Sequence, residues 1–439
     1  MNEALESQTP RTQPHVIIVG GGFGGLAAAR ALKRAPVRVI LLDRMNHYLF
    51  QPLLYLVATG GLAPSDIAAP IRVVLRKQRN ATVALLEVTR VDADARRVYF
   101  SYLDDAERSL PYDYLILATG AQQSYFGHDE FATFAPGLKS LQDAEAMRAK
   151  LLKAFEFAEI EVDPAQHRDL LTFVLVGAGP TGVEMAGAIA EMVRGTLKSD
   201  FRRVDPRSAR IILIEGAPRI LPTFAESLSR KAHARLTRMG VEIRTNTRVE
   251  MIDAEGVVVA GERLASRTIF WTAGVTPSPA GQWLQAETDH AGRVRVLPDL
   301  SVPGRPEVFV VGDTASLAQD GKPLPGVAQV AMQQGRHVGR SIARRVVGQA
   351  LPRPFHYFDK GNMAVIGRNF AILESGRLQL SGFVAWLAWA AIHISFLPQA
   401  GNKAMVLTQW VWSYVTKQSG ARLILEPRID PAKLSGTKP

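Results

Sequence analysis

Uninterrupted apolar runs, each closed by a glycine-rich turn or an acidic residue, organise the first part of the chain. The run His15–Val19 predicts a fully buried strand, and the alanine-rich stretch after it predicts a helix that continues to about Arg34. A second apolar run, Val37–Leu42, predicts the neighbouring strand and stops at Asp43. This order of strand, helix and strand predicts a βαβ unit in a parallel sheet.

The turn of this unit carries three spaced glycines, and each position has a physical reason. Gly20 allows the tight turn, Gly22 leaves the backbone open to a pyrophosphate, and Gly25 lets the helix pack closely on the strand. The free N–H groups at the helix N-terminus favour phosphate oxygens. Asp43 lies where a carboxylate can accept hydrogen bonds from ribose hydroxyls. The stretch therefore predicts a dinucleotide site.

A second copy of the pattern begins at the buried strand Leu171–Val176 and ends at Glu215, after the strand Arg210–Ile214. Its glycines are Gly177, Gly179 and Gly182. Its helix is predicted from about Thr181 and is extended, because the glycines and the acid are further apart than in the first copy. A carboxylate accepts a hydrogen bond from a free 2′-hydroxyl and repels a 2′-phosphate, so Glu215 favours NADH over NADPH, while the nearby Arg219 argues the other way.

Three further apolar runs predict buried strands that also close on glycine: Tyr112–Gly120, Thr268–Pro279 and Val308–Ala315. The last of them places Gly312 and Asp313 directly after a strand, where a carboxylate can face a ligand. A helix is predicted over Leu324–Arg345. Its Gln329 and Gln333 lie four residues apart and share one helical face, among apolar neighbours that favour burial at a ligand.

The last quarter of the chain is both apolar and basic. Gly382–Leu397 holds sixteen residues without a charge, whereas a spanning helix needs about 20. Lys403–Thr416 places apolar residues at helical spacing, and four of the six tryptophans fall in these two stretches: Trp386, Trp389, Trp410 and Trp412. From Arg336 onward, fourteen Lys and Arg stand against four Asp and Glu, so most of the net charge of +11 lies here. The pattern predicts a helical pair lying in one leaflet of an anionic bilayer, with a dimer interface or core packing as the alternative.

The composition narrows the chemistry. The 439 residues are long enough for two or three domains. The absence of cysteine excludes disulfides, thiolate metal sites, cysteine nucleophiles and a redox-active dithiol, and no metal site is predicted. The polar residues 1–14 show no secretory signal pattern and predict a flexible tail. Nucleic acid is not an expected partner, because a nucleic-acid surface needs exposed Lys and Arg without so long an uncharged run.

Together these patterns predict an α/β protein with two Rossmann-like dinucleotide-binding domains and a C-terminal membrane-associating helical region. The sequence resembles the type II NADH:quinone oxidoreductases, which are non-proton-pumping flavoproteins of the two-dinucleotide-binding-domain, pyridine nucleotide-disulfide oxidoreductase-like superfamily. The resemblance covers nearly the whole chain after the tail and rests on NHYLFQPLLYLVATGGL, GAGPTGVE, FWTAGVTPSP, VFVVGDTA, AQVAMQQG and DKGNMAVIGR. The last two segments, with the tryptophan-rich C-terminus, separate this family from its relatives.

The resemblance implies that the first glycine motif binds FAD and the second binds NADH. The residues implied to contact FAD are Gly20, Gly22, Gly25, Asp43, Thr119, Gly120, Gly312 and Asp313. The residues implied for NADH are Gly177, Gly179, Gly182, Glu184, Glu215 and Gly274. The implied domains are the tail over 1–14, an FAD-binding domain over 15–120 and 281–355, an NADH-binding domain over 121–280, and a membrane-anchoring and quinone-access region over 356–439.

The resemblance also implies the reaction, which is FAD-dependent transfer of two electrons from NADH to a membrane quinone without proton pumping. Gln329 and Gln333 match a family segment at the flavin face where quinone approaches, and Lys360 matches a lysine near the isoalloxazine. Glu184, near the expected flavin–nicotinamide junction, completes the expected catalytic set, as a candidate for proton delivery to the quinone or for a place in the local hydrogen-bond network.

The implied setting is the bilayer surface at the cytoplasmic face of a bacterial inner membrane. The chain would associate there as a peripheral protein, and a homodimer is one implied assembly. Two alternatives stay open at this level. One is a flavin-dependent NADH reductase of a small iron–sulfur protein, and the other is an NADH-sensing flavoprotein that acts through a partner.

Overall fold

The computed structural model describes residues 13–101, 107–416 and 420–424. Its strands are β1 His15–Val19, β2 Arg38–Asp43, β3 His47–Leu49, β4 Ala68–Pro70, β5 Ala81–Leu85, β6 Glu87–Asp92, β7 Arg97–Ser101, β8 Glu107–Pro111, β9 Tyr114–Leu117, β10 Ala121–Gln123, β11 Thr172–Val176, β12 Arg210–Ile214, β13 Val241–Arg244, β14 Val249–Ile252, β15 Gly256–Val259, β16 Glu262–Ala265, β17 Thr268–Trp271, β18 Val275–Pro277, β19 Val294–Arg295, β20 Ser301–Val302, β21 Arg305–Val310, β22 Ala315–Ser316, β23 Ala318–Gln319, β24 Lys322–Pro323, β25 Asn362–Val365, β26 Ala371–Ser375 and β27 Leu378–Gly382. Its α-helices are α1 Phe23–Ala31, α2 Leu54–Ala58, α3 Pro64–Ile67, α4 Ile71–Leu75, α5 Leu141–Ile160, α6 Pro164–Leu170, α7 Pro180–Glu191, α8 Glu226–Arg238, α9 Ala280–Leu284, α10 Ala328–Val346, α11 Phe383–Phe396 and α12 Ala400–Thr416. A π-helical turn, Met192–Thr196, continues α7.

The described residues divide into two compact units, and each unit holds one of the two glycine motifs. The first unit comprises 13–49, 68–101, 107–122 and 275–359. The second unit comprises 50–67, 123–274, 360–416 and 420–424. The C-terminal region thus clusters with the second glycine motif. The domain boundaries read from the sequence stay a prediction, and the predicted tail lies outside the described residues apart from its last two positions.

A six-stranded sheet forms the centre of the first unit, in the order β20-β21-β9-β1-β2-β5. Strands β21, β9, β1, β2 and β5 run parallel, and β20 is antiparallel to β21. Strand β1 is buried along its whole length, as its continuous apolar run predicts. Helix α10 packs tightly along α1, because a Cβ at Gly335 would overlap the carbonyl oxygen of Gly24 and one at Gly339 would lie 2.7 Å from that of Ala28.

The second unit contains a four-stranded parallel sheet in the order β13-β12-β11-β17. Helix α7 leads away from β11, and β12 returns beside β11, which completes the second βαβ unit. Two antiparallel three-stranded sheets, β14-β15-β16 and β25-β26-β27, belong to the same unit. The predicted α/β class is confirmed, and the sheets are a mixture of parallel and antiparallel pairings.

Helices α11 and α12 follow β27 and pack through aromatic rings. Trp389 stacks on Trp410 with ring centroids 5.2 Å apart, and Trp386 lies 6.1 Å from Tyr414. Other large apolar side chains of the two helices are exposed, among them Val384, Leu387, Met405, Leu407, Val411, Trp412 and Val415. Within the described residues, no helix combines the length and the apolarity that crossing a bilayer would require.

The helices after the two glycine motifs differ in length, as predicted. Helix α1 has 9 residues and ends at Ala31, short of the predicted Arg34, and residues 32–34 form a turn before β2. Helix α7 has 12 residues, and the π-helical turn prolongs it. The longer interval before Glu215 is therefore filled partly by helix.

Two other expectations need correction. Helix α10 begins at Ala328 and not at Leu324, because Val327 holds an extended backbone at the N-cap. The segment Phe355–Arg377 predicts two short strands that carry Lys360 and Gly361, but β25 starts at Asn362 and the segment before it is irregular. Lys360 is exposed in this segment.

Candidate active site

The first glycine turn contains two glycines that the fold itself requires. Gly20 has φ +103°, and a Cβ there would overlap the carbonyl oxygen of Ala118. A Cβ at Gly25 would overlap the carbonyl oxygen of Gly20, where α1 crosses the end of β1. Any side chain at these two positions would push the helix off the strand.

Gly22 is different, because nothing in the protein demands a glycine there. Its φ is −76°, which any residue adopts, and no protein atom lies within 4 Å of where its Cβ would be. The open space lies at the N-cap of α1, and the first turn of a helix presents backbone N–H groups that favour an anion. A bare backbone beside such a space fits the close approach of a pyrophosphate, so the residues present suit a dinucleotide.

Asp43 is fixed at the end of β2 by the same turn. Its Oδ2 accepts the N–H of Gly21 at 2.5 Å, and its Oδ1 accepts the N–H of Met45 at 2.7 Å. Burial raises the pKa of Asp43, and the two N–H donors oppose that rise. Each carboxylate oxygen keeps a second lone pair for a ribose hydroxyl.

The remaining residues predicted for FAD lie at the carboxyl ends of β9, which pairs with β1, and of β21, which pairs with β9. The hydroxyl of Thr119 lies 2.5 Å from that of Ser278, and the hydroxyl of Thr314 donates to the carbonyl oxygen of Gly120 at 2.9 Å. Gly312 has φ +76° and is followed by Asp313 in a short 3-10 turn. These groups form one polar edge of the first unit.

Gln334 also supports this polar edge, and it was not among the residues predicted from the sequence. Its side-chain oxygen accepts the N–H of Gly312 at 2.7 Å, and the residue is 1% exposed. A signal was present, because Gln334 shares the buried face of α10 with Val330 and Val338 at four-residue spacing. A glutamine in an apolar stripe needs a partner, and the loop amide supplies it.

The second glycine turn repeats the first. Gly177 has φ +102°, and its Cβ would lie 2.7 Å from Ala273, while a Cβ at Gly182 would overlap the carbonyl oxygen of Gly177. Gly179 has φ −68° and no protein atom within 4 Å of its Cβ position. The second unit therefore offers the same open N-terminus to an anion as the first.

Glu215 holds this turn by accepting two backbone N–H groups, as Asp43 does in the first unit. Its Oε2 accepts the N–H of Ala178 at 2.7 Å, and its Oε1 accepts the N–H of Ala217 at 2.9 Å. Arg219 faces its own loop, where its guanidinium donates to the carbonyl oxygens of Pro222 and Phe224, each at 2.7 Å. Gly274, with φ +70°, ends the neighbouring strand–turn segment of the same unit.

A cavity with an empty volume of about 830 Å³, its open mouth included, lies in the second unit. Its wall combines aromatic residues of α2, α11 and α12 with polar side chains of α7 and of the turn after β25, including Tyr55, Glu184, Glu191, Arg368, Trp386, Trp389, Trp410 and Tyr414. Glu184 accepts the N–H of Val365 at 3.3 Å, and burial raises the pKa of Glu184 to about 8. With this pKa, Glu184 is mainly a protonated carboxylic acid at neutral pH, and it lines a cavity with a largely aromatic wall.

Gln329 and Gln333 lie one turn apart on α10 in the first unit, as predicted. The amide of Gln333 forms a reciprocal pair with the backbone of Phe358, donating at 2.9 Å and accepting at 3.0 Å. Lys360 follows two residues later and belongs to the second unit. Within the described residues, no group of three or more His, Asp or Glu is placed to hold a metal ion.

Two glycine turns, one per unit and each held by an acid, together with the parallel sheets they follow, define a protein with two dinucleotide-binding folds. The family model of the pyridine nucleotide-disulphide oxidoreductases matches residues 14–335. The type II NADH:quinone oxidoreductase Ndh of Mycobacterium tuberculosis is 46% identical over 434 residues, covering 95% of this chain and 93% of that protein. The NdhA protein of the same organism, also a type II NADH:quinone oxidoreductase, is 45% identical over 94% of this chain and 90% of its own length.

Solved structures agree with this assignment at the level of the fold. NDH2 from Plasmodium falciparum, solved in complex with NADH, superposes with a TM-score of 0.85 at 18% identity, covering 94% of this chain and 100% of that one. The sulfide:quinone oxidoreductase of Aquifex aeolicus superposes with a TM-score of 0.70 at 18% identity, covering 92% and 96%. This chain belongs to the pyridine nucleotide-disulphide oxidoreductase family and, within it, to the type II NADH:quinone oxidoreductases. The predicted family, enzyme class and pairing of FAD with NADH are confirmed.

Proposed function

We propose that this chain transfers two electrons from NADH to a membrane quinone, with FAD as its cofactor, at the surface of a bilayer. The observation that carries the proposal is the pair of glycine turns, each with an open Cβ position and an N–H pinned by an acid. When bound, FAD supplies the redox chemistry that links the oxidation of NADH to the reduction of the quinone. Family membership favours a quinone over the iron–sulfur protein and sensor alternatives.

The first unit would hold FAD through the residues of its polar edge. The N-terminus of α1 and the open backbone at Gly22 would receive the pyrophosphate, and Asp43 would accept a ribose hydroxyl. Gly312 and Asp313 would contact the rest of the cofactor, with Gln334 keeping the loop in place. Thr119 and Gly120 complete the same edge.

The second unit would hold NADH in the equivalent way. Gly179 would face the pyrophosphate, Glu215 would accept the ribose hydroxyl, and Gly274 would line the opposite side of the turn. Arg219 already donates to carbonyl oxygens of its own loop, so it is not held ready for a 2′-phosphate. NADH is therefore the proposed donor, in preference to NADPH.

The quinone would be reduced beside groups that can supply a proton. Oxidation of NADH by a quinone consumes one proton from solvent, because NADH carries one hydride and a quinol carries two hydrogens. Glu184 holds a proton at neutral pH and faces the cavity, so it would donate that proton to a quinone oxygen. Within the first unit, Gln333 holds the backbone of Phe358, and Gln333 would serve the reduction of the quinone together with Gln329 one turn away. Lys360 stays a predicted catalytic residue.

The bilayer contact would be made by α11 and α12. Their exposed apolar side chains include Trp412 and Val415, which are 65% and 75% exposed. Lys231 of α8 lies near the start of α11, since its Nζ donates to the hydroxyl of Ser381 at 3.1 Å. Apolar side chains beside cations suit an anionic lipid surface. Bacterial NADH is cytoplasmic, so the cytoplasmic face of an inner membrane is the proposed location, and a homodimer through the same helices is the competing use of this surface.

The test is a stopped-flow experiment on the purified chain loaded with FAD. NADH should bleach the flavin absorbance within milliseconds to seconds, and a soluble quinone should restore it. NADPH should bleach it more slowly. Failure of the quinone, with restoration by a small iron–sulfur protein, would refute quinone reduction. A chain that never binds FAD would refute the whole proposal.

A further inference from the structure

Helix α7 presents two carboxyl groups to the same cavity. Glu184 and Glu191 are seven residues apart, which is two helical turns, or roughly 10.5 Å along the axis. Ala188, midway between them, also lines the cavity. The two groups therefore face one continuous space that is wide enough for water.

Glu191 is the last residue of α7 and lines the cavity. Its side chain is 30% exposed, and the π-helical turn begins at the next residue, Met192. Its Oε1 accepts the backbone N–H of Arg368. Burial raises the pKa of Glu191, while Arg368 and then Arg235 of α8 oppose the rise. A carboxyl group in such surroundings exchanges protons closer to neutral pH than an ordinary surface glutamate does.

Arg368 does not neutralise Glu191 through a close ion pair. Its Nε lies 4.0 Å from Oε2 of Glu191. The other guanidinium nitrogens donate to Ser413 of α12, at 2.9 Å to the carbonyl oxygen and 2.8 Å to the hydroxyl. Arg368 thus ties α12 to the turn after β25 and holds Glu191 chiefly by its backbone, so the carboxyl group keeps acceptor capacity toward the cavity.

The charged and titratable groups that face the two carboxyls come from each neighbouring element. Tyr55 of α2 lies within electrostatic range of both Glu184 and Glu191, and burial first, then these two acids, raise the pKa of its phenol. Arg368 and Arg235 face Glu191. The space between the two acids is thus flanked by an uncharged phenol, and the cations lie near Glu191.

We propose that Glu191 is the proton inlet of the cavity and that it reprotonates Glu184 after each turnover. This inference rests on the proposed function of Glu184. In the step, the O–H bond of Glu184 breaks and an O–H bond forms on the quinone, whose electrons come from NADH through the established reaction. The Glu184 carboxylate then takes a proton through cavity water from the Glu191 carboxylic acid, and Glu191 recovers one from solvent. One proton enters for each NADH oxidised.

The test separates the two half-reactions in the full chain loaded with FAD. Glu191→Gln keeps the acceptor for the N–H of Arg368 and removes the exchangeable proton. We expect bleaching by NADH to stay within about twofold of the native rate, and reoxidation by a soluble quinone to slow by roughly tenfold or more, with an altered pH profile. Glu156→Gln, an exposed glutamate of α5 away from the cavity, is the matched control and should change neither half-reaction.

Chemical rescue distinguishes a proton path from a structural role. Glu191→Ala leaves room for a small acid, so added formate should restore quinone reduction in a concentration-dependent manner, and it should not affect the Glu156→Gln control. A native reoxidation rate in Glu191→Gln would overturn the inference. A slow rate with no rescue and an unchanged pH profile would also overturn it. If Glu191→Ala does not bind FAD, the pH profile of Glu191→Gln decides alone.

Glu184→Gln tells this inference apart from the function on which it rests. A native reoxidation rate in Glu184→Gln would remove the proposed role of Glu184 itself. Slow reoxidation in Glu184→Gln together with native reoxidation in Glu191→Gln would leave that role in place and remove only the inlet.

Discussion

Replacing Glu184 by glutamine keeps the size of the side chain and removes its titration. Burial raises the pKa of Glu184 from 4.5 to about 8 in the folded chain, whereas an unfolded chain lets the carboxyl group ionise near its ordinary value. Below pH 4.5 both states carry the proton, so the contribution to stability is fully present there. As pH rises from 4.5 to about 8, the unfolded chain gains free energy by ionising while the folded chain keeps its proton, so the free energy of unfolding falls.

The magnitude follows from the same two values. The interval from 4.5 to about 8, at about 1.36 kcal/mol per pH unit, corresponds to about 5 kcal/mol of unfolding free energy lost by the native chain. Glutamine has no such loss. The free energy of unfolding of Glu184→Gln relative to the native chain should therefore increase by several kcal/mol between about pH 5 and pH 8. Other titrating groups, Glu191 included, act in both proteins and cancel in the difference.

Urea titrations at four pH values, followed by tryptophan and flavin fluorescence with FAD held at one concentration, measure this difference. Glu156→Gln serves as the control, because it removes an exposed carboxyl group of α5 that does not line the cavity. A difference between Glu184→Gln and the native chain that stays constant from pH 5 to pH 8 would refute the reasoning. It would mean that Glu184 ionises normally in the fold and cannot hold a proton for the quinone at neutral pH.

Three further outcomes are expected. Gly179→Ala should raise the KM for NADH by about tenfold with the fold intact, since its Cβ enters open space where the phosphates would lie. Gly182→Ala should instead destabilise the fold by about 3 kcal/mol, because its Cβ would overlap the carbonyl oxygen of Gly177. Equal effects of the two variants on thermal unfolding would contradict this prediction. Glu215→Gln should lower the preference for NADH over NADPH in kcat/KM by about tenfold, because the repulsion of a 2′-phosphate is lost; an unchanged ratio would be contrary evidence. The double variant Trp412→Glu and Val415→Glu should no longer float with anionic vesicles, while bleaching of the flavin by NADH stays unchanged. Continued binding to vesicles would count against bilayer contact. So would a variant that still binds vesicles but has lost a dimer.

The glycine turns were predictable because their cause is local. Gly20 and Gly25 are needed by a strand–helix turn that closes within a few residues, and the acid at the next strand end falls in a parallel neighbour that the apolar runs already indicate. The strands β1 and β12 have the predicted bounds for the same reason. What the sequence could not show is that Asp43 also fastens the turn, since that depends on side-chain rotamers.

The cavity groups were less accessible to sequence reasoning. Glu191 lies two turns after Glu184, and the sequence does not distinguish it from a surface glutamate of a helix. Only the tertiary fold places it in the cavity with α2 and the turn after β25. Arg368 follows β25 in the chain and reaches α7 only through the tertiary fold. Gln334 is an intermediate case, because its place on the apolar face of α10 was visible and its partner, the amide of Gly312, was not.

The pinning of each glycine turn by an acid has a consequence for nucleotide binding. Asp43 and Glu215 make their N–H contacts using protein atoms alone. Each acid therefore holds two backbone N–H groups of its turn in place, which lowers the conformational entropy that the turn can lose when a nucleotide binds. Loss of either acid should therefore weaken nucleotide binding through a more mobile turn as well as through a lost ribose contact.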